Sequence, residues 1–349
     1  MSDIQFDLGF SSRTVATYPL ARRIAIIKSA EALGFDRLWH SNEKFGRDMV
    51  ANMTLSAAQT ERIGIGAAVT DPYSVHPALT AAAMATVDDI SSGRVIVGIG
   101  AGGSGFPAMG IQRKQPVAAT ADAIAIMRGM WAGKPATVDG KVVSVRSGVL
   151  GFKARPDIRI VIATRGPAMF RLAGRVADGA MIATMATPEG VGIARDFVRQ
   201  GAQQAGRDPD DIEVISRVDT CVDRDRDKAR AGVKQMIAFL LWSSYPNRDF
   251  VTQLGMEVPA ELEALIAKRD YELMFEAGPL VPEEFVDAFA WAGTPEEVAA
   301  QITRIAETGI RRFGTWVLAP PGGGIESVIQ LIADEVMPRV RAAANRLQR

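Results

Sequence analysis

The sequence predicts an α/β fold of the (β/α)8 type, a TIM-like barrel. Short apolar runs alternate with longer amphipathic segments over most of the 349 residues. The alternation repeats eight times, the count for a parallel ring rather than an open sheet. The length also suits one large barrel with a sizeable core.

The elements follow in order. A strand at Ile4–Phe10 leads into a helix from Pro19 to Leu33, which Gly34 ends as a C-cap. Strands at Arg37–His40, Ile63–Val69 and Val95–Ile99 are followed by helices at 49–60, Pro77–Ile90 and Val117–Trp131. A fifth strand centred on Ile160–Ile162 and a sixth at Gly179–Ile182 flank a helix opened by Pro167. Proline suits that first helical position because its missing N–H would have no partner there. A helix at Glu189–Ala205, a strand at Ile212–Cys221, a helix at Asp225–Trp242, a strand at Phe313–Val317 and a closing helix at Ile325–Arg346 complete the series. Two segments break the rhythm. Thr137–Phe152 alternates like a hairpin after the fourth helix, with Asp139-Gly140 as its turn. Ser243–Trp291 is a helical insertion before the last helix–strand unit. The chain is therefore read as a single barrel domain over 1–349 with insertions at about 134–156 and 243–291.

Charge balance narrows the function classes. Lys plus Arg is 40 and Asp plus Glu is 40, so no basic excess points to nucleic acid or an anionic membrane surface. The single cysteine, Cys221, rules out a disulfide within the chain and suits a reducing compartment. No apolar stretch reaches the roughly 18 residues of a membrane span, and the first residues lack a basic-then-apolar leader. A cytoplasmic protein with a small-molecule substrate is expected. Two histidines, His40 and His76, without a spaced acidic cluster give no metal site.

In such a fold, chemistry gathers at the C-terminal strand ends. The turn Ala163-Thr164-Arg165-Gly166 before Pro167 aims free helix N–H groups and the Arg165 charge at one point, which reads either as a phosphate cradle or as a plain connection. Small residues Gly66, Ala67 and Ala68 before Val69-Thr70-Asp71-Pro72 either admit a flat ligand or simply pack. Glycines 98, 100, 102, 103 and 105 imitate a dinucleotide fingerprint, but no helix follows directly, so a Rossmann site is not indicated. After the second strand, Asn42 and Glu43 form the first strongly polar pair, and Glu43 is the best-placed carboxylate for proton transfer. His40 faces either the lumen or the helices.

Together these segments resemble the bacterial luciferase-like superfamily of flavin and deazaflavin oxidoreductases, most of all its methylenetetrahydromethanopterin reductase branch. The resemblance is carried by Ala32-Leu33-Gly34-Phe35-Asp36, Val69-Thr70-Asp71-Pro72-Tyr73 with His76-Pro77, Ser92-Gly93-Arg94 and Gly98-Ile99-Gly100-Ala101-Gly102. It continues through Arg165-Gly166-Pro167, Leu172-Ala173-Gly174, Ala177-Asp178-Gly179 and Ala292-Gly293-Thr294-Pro295-Glu296-Glu297. It implies coenzyme F420, or alternatively FMN, at the strand C-termini. It also implies a non-prolyl cis peptide, by position Ala68–Val69, behind the ring. Ala68, Val69, Thr70, Gly100, Gly102, Gly103, Thr164, Arg165, Gly166 and Pro167 would hold the cofactor. Glu43 and Asn42 would be catalytic. Phe10, His40 and Trp242 would meet the substrate, with the insertion around Trp242, Tyr245, Phe250 and Phe275 setting its identity. A homodimer is implied as well. Departures exist: relatives carry an acid followed by His where Asn42-Glu43 stand, and the reductase branch has carboxylates where Gly9 and Gly103 stand. The expected activity is hydride transfer between F420 and an organic substrate. The alternatives are an FMN-dependent monooxygenase of the same superfamily and a cofactor-free barrel serving as a binding or partner subunit.

Overall fold

A computed structural model describes residues 4–11, 13–103 and 105–347. The side chain of Phe275, expected in the substrate-setting insertion, lies outside the described residues, as does that of Leu347. The strands are β1 Gln5–Phe10, β2 Arg37–Ser41, β3 Gly64–Thr70, β4 Val95–Ile99, β5 Ala136–Val138, β6 Val145–Gly148, β7 Arg159–Thr164, β8 Gly179–Ala183, β9 Glu213–Val222, β10 Ala290–Gly293 and β11 Arg312–Val317. The α-helices are α1 Leu20–Ala32, α2 Met49–Gln59, α3 Pro77–Ile90, α4 Pro116–Trp131, α5 Pro167–Val176, α6 Pro188–Gln204, α7 Arg226–Ser244, α8 Asp249–Thr252, α9 Ala260–Ala267, α10 Glu283–Phe289, α11 Pro295–Glu307, α12 Ile325–Leu331 and α13 Met337–Leu347.

The parallel sheet runs in the order β10-β9-β11-β1-β2-β3-β4-β7-β8, and β8 also pairs with β9. The eight expected strands therefore follow one another in a (β/α)8 ring, β1-β2-β3-β4-β7-β8-β9-β11. The ninth parallel strand was not expected: β10 adds to the C-terminal end of β9, with Ala290 opposite Asp219 and Gly293 opposite Val222. Its sequence is short and apolar, and only a partner distant in sequence makes it a strand rather than the end of the helical insertion.

Contacts divide the chain into two compact units. One comprises residues 4–7, Ile182–Arg195 and 214–347; the other comprises Leu8–Met181 and Asp196–Glu213. In the second unit the ladder is in register from β2 through β7: His40 lies opposite Ala67, Ala67 opposite Val97 and Ile99 opposite Ile162. Several residues that carried the family resemblance prove to be structural. Arg94 donates to the carbonyls of Ala57, Thr60 and Ile63 at 3.0, 2.8 and 2.8 Å, satisfying the end of α2 and the approach to β3. Asp178 accepts the Ile160 N–H at 2.8 Å and pairs with Arg128, tying the exit of α5 to β7. In the first unit Thr294 and Glu297 close a capping box at the start of α11. There too the buried Asp7 pairs with Arg312 at 2.6 Å.

Two local expectations change. The hairpin of β5 and β6 forms, but residues 139–144 connect it rather than a two-residue turn. Asp122 of α4 accepts the N–H groups of Val142 and Val143 at 2.7 and 3.2 Å, so a side chain outside the hairpin sets the longer connection. The closing helix is not continuous. Residues Ile332–Val336 form a π turn between α12 and α13, a wider turn that periodicity alone does not reveal.

Candidate active site at the strand ends

The expected cofactor and proton-handling residues all belong to the unit of Leu8–Met181 and Asp196–Glu213. The ends of β3, β4 and β7 converge there. Gly100 donates its N–H to the Thr70 carbonyl at 3.0 Å. A Cβ on Gly100 would sit 3.0 Å from Val69 Cγ2 and 3.2 Å from the Ala163 carbonyl oxygen. The Ala68–Val69 peptide bond is cis. Other small residues here serve packing instead: a Cβ on Gly66 would lie 2.1 Å from the Trp39 ring, and one on Gly98 would lie 2.2 Å from the Ala67 carbonyl oxygen. Of the two readings of the β3 glycine, close packing explains it.

The turn after β7 is arranged differently from the expected cradle. Gly166 is the N-cap of α5 and Pro167 its first residue, but the Gly166 N–H donates to Thr164 Oγ1 at 3.0 Å. This short side-chain turn occupies one N–H assigned to an anion, leaving the first turn of α5 to supply the others. A Cβ on Gly166 would meet nothing nearer than Thr164 Oγ1 at 4.0 Å. The Gly103 position is nearly as open, with only the Arg113 guanidinium at 3.4 Å. Arg113 itself donates to the Gly102 carbonyl at 3.1 Å.

Glu43 follows β2 and is held by the segment after β1. Its carboxylate accepts the Ser11 hydroxyl at 2.5 Å and the Arg13 N–H at 3.1 Å, and the Arg13 Nε lies 3.7 Å away. Its side chain keeps about a quarter of its surface exposed, at 26%. A carboxylate with fixed donors on one side and solvent access is suited to proton exchange. Asn42 joins β3 through its N–H, which donates to the Ala68 carbonyl at 3.3 Å.

Sequence reasoning missed the polar centre beside Glu43. Lys44 Nζ lies 2.9 Å from Asp71 Oδ2 and 2.9 Å from Ser74 Oγ, and Asp71 is 3% exposed. Asp71 also accepts the N–H groups of Tyr73 and Ser74 and the Ser74 hydroxyl. Burial pushes its carboxyl upward, but Lys44 and these donors outweigh it and hold the group below the usual carboxylate range. The residues span 30 positions between Lys44 and Ser74, so no local motif exposes them. A buried Asp after a strand, with Ser three residues on, was the available signal.

Of the expected substrate residues, Phe10 and His40 belong to the same unit as this cluster and Trp242 to the other. Phe10 and His40 line a pocket together with Ile26 and Ile27 of α1 and Asn52 of α2. His40 therefore faces the helices, because the pleat of β2 sends alternate side chains to opposite faces. In the other unit Trp242 stacks on Phe239 at 5.6 Å, meets Tyr271 edge-on and lies under Arg269 at 4.2 Å. Burial pushes the Cys221 thiol up to about 12, which leaves it inert.

Comparison with known proteins identifies the lineage. A family model described as luciferase-like monooxygenase matches residues 5–312. The chain belongs to that family. It is 32% identical over 332 residues to a 5,10-methylenetetrahydromethanopterin reductase of Methanolobus tindarius, covering 94% of this chain and 99% of the relative. The reductase of the same name from Archaeoglobus fulgidus is 33% identical over 322 residues, covering 90% and 94%. Among solved structures, the coenzyme F420-dependent tetrahydromethanopterin reductase of Methanopyrus kandleri superposes with a TM-score of 0.84 at 27% identity, over 97% of this chain and 100% of that one. The fold class is thus the TIM-like barrel of the luciferase-like family. Among the described residues no helix is long and apolar enough to cross a membrane.

Proposed function

We propose that this protein is an oxidoreductase that transfers a hydride between coenzyme F420 and a small organic substrate. The supporting observation is the convergence of β3, β4 and β7 on a small-residue floor at Val69, Gly100 and Ala163, in a chain whose relatives are reductases of this kind. The residues present fit a flat ring carrying a phosphate. Gly103 and Gly166 leave the backbone open, and the Arg113 guanidinium lies beside Gly103, as an anionic tail requires. Once bound, the deazaflavin supplies the hydride chemistry.

The chain's own residues then bind, orient and handle the proton. Ala68, Val69 and Thr70 back the ring, while Gly100, Gly102, Gly103 and the turn Thr164–Pro167 hold the ribityl phosphate. Asn42 orients a polar edge, and Glu43 holds or moves the accompanying proton. The carboxylates of the reductase branch are replaced by Gly9 and Gly103, so the substrate is not carried over from those relatives.

In Glu43→Gln, turnover should fall about 10²-fold or more, while F420 affinity stays close to wild type. Unchanged turnover removes Glu43 from the mechanism. An absorption spectrum of the purified protein and titration with F420 and FMN test the cofactor. Tight FMN binding with oxygen-dependent turnover would favour the monooxygenase alternative, since this family includes such enzymes. A homodimer in the cytoplasm completes the proposal, and sedimentation velocity tests the dimer.

A further inference from the structure

The segment before α4 lays a cation with no carboxylate of its own over the loop after β4. Between Ala101 and Ala121 the sequence holds no Asp or Glu, but it holds Arg113 and Lys114. Among the described residues Arg113 has one hydrogen-bond partner, the Gly102 carbonyl at 3.1 Å, and no acidic one. Its neighbours hold the chain in place. The Tyr73 hydroxyl donates to the Lys114 carbonyl at 2.8 Å, and the Ile111 N–H donates to the Phe106 carbonyl at 3.0 Å. Tyr73 also meets the Phe106 ring edge-on at 5.7 Å, and its own N–H donates to Asp71. The guanidinium is thus fixed over Gly103, whose φ of +144° requires glycine and leaves the backbone bare beneath it.

Such an arrangement is prepared for an anion. With Nη1 spent on Gly102, the Nε–Nη2 edge remains, two parallel N–H donors that match two carboxylate oxygens. The orientation is set before a ligand arrives, so less entropy is lost on binding than with a free arginine. Position along the loop says which part of a ligand this cation meets. Gly100 is buried against Val69 and Ala163 at the floor, Gly103 is half-buried, and Arg113 is exposed. Floor to rim, the order is Gly100, Gly103, Arg113. Arg113 therefore stands at the end of a bound cofactor farthest from its ring.

We propose that Arg113 holds the carboxylates of the F420 tail and so makes the site prefer a tailed deazaflavin over a flavin that ends at its phosphate. F420 continues past its phosphate into lactyl and glutamyl groups that bear carboxylates, whereas FMN stops there. The inference rests on the proposed cofactor site and adds to it the residue that reads beyond the phosphate.

The test compares F420 with the same deazaflavin truncated at its ribityl phosphate, titrating both by the fluorescence they share. Wild type should bind F420 about fivefold more tightly than the truncated ligand, a difference that narrows as added salt screens it. In Arg113→Gln the preference should vanish through loss of F420 affinity alone, with the truncated ligand bound as in wild type. Lys114→Gln removes the adjacent charge but keeps the backbone carbonyl that Tyr73 binds, and it should retain the preference. Equal weakening of both ligands in Arg113→Gln overturns the proposal, because the arginine would then read the phosphate. An equal loss of preference in Lys114→Gln overturns it too, by reducing the effect to net charge. A wild type that binds both ligands equally overturns it while leaving the cofactor site standing. A wild type that binds neither overturns the cofactor reading itself, and this one with it.

Discussion

The loop after β4 and the turn after β7 both carry glycines, but they use them in opposite ways. In the β4 loop a Cβ on Gly102 would lie 2.4 Å from the Phe106 ring, and one on Gly105 would lie 2.5 Å from Lys44 Cβ. Both glycines also have positive φ, +65° and +73°. This loop is closed down on Lys44, Asp71 and Phe106, and glycine is there because nothing else fits. After β7, Gly166 has ordinary extended backbone (φ −103°, ψ 141°) and open space where a side chain would go. Neither conformation nor packing demands glycine at that position. An open position at a helix N-terminus, next to an arginine, is the pattern of a site kept clear for a ligand. Glycine density in the sequence thus marks the packed loop more strongly than the binding turn.

The largest effect should come from the ion pair beneath the packed loop. Asp71→Asn leaves the half-buried Lys44 beside a neutral partner, and unfolding in denaturant should show a loss of about 3 kcal/mol. The same pair gives a pH signature. Because the folded Asp71 pKa lies below its unfolded value of about 3.9, its contribution is full above that value. It is lost as pH falls through the folded pKa. Denaturant titrations from neutral to acid pH should show that part of the acid-side slope missing in Asp71→Asn. A preserved slope would assign it to other carboxylates.

Gly105→Ala comes next, at about 2 kcal/mol, because the new methyl meets the rigid base of Lys44 and the φ is unfavourable. Thermal unfolding that matches wild type would mean the β4 loop is as open as the β7 turn. Thr164→Val should cost about 1 kcal/mol by removing the acceptor of the Gly166 N–H, read by the same melt. Gly166→Ala is the smallest for stability, within about 0.5 kcal/mol, yet F420 affinity measured by titration should fall about tenfold as the methyl enters the ligand's space. A Gly166→Ala protein that binds F420 normally would place the phosphate elsewhere.

Much of the fold was legible because its signals are local. α3 at Pro77–Ile90 and β4 at Val95–Ile99 were both read to the residue, since Pro at the helix start and an apolar run before glycine need no distant partner. The ring order followed from strand count and connection rules. Elements that depend on remote partners were not legible. β10 is a strand only because the end of β9 receives it, and the hairpin connection is long because Asp122 caps it.

The candidate site divides along the same line. Its backbone features, the cis bond at Ala68–Val69 and the α5 start at Pro167, stand where the sequence and its resemblance put them. Its side-chain arrangement does not. Periodicity could not say which face of β2 takes His40, because alternation fixes only that neighbours point oppositely. Nor could it bring Lys44, Asp71 and Ser74 to one point.

By itself the sequence determined the eight strands of the ring with most of their helices, the family and the positions of the strand-end loops. Each of these is written in local periodicity, caps and ordered motifs. Only the tertiary structure decided which glycines are packed and which are open, where the Gly166 N–H goes, and that His40 and Arg23 share a pocket. Those are matters of distance between residues far apart in the chain, set when side chains compete for the same space and the same hydrogen bonds.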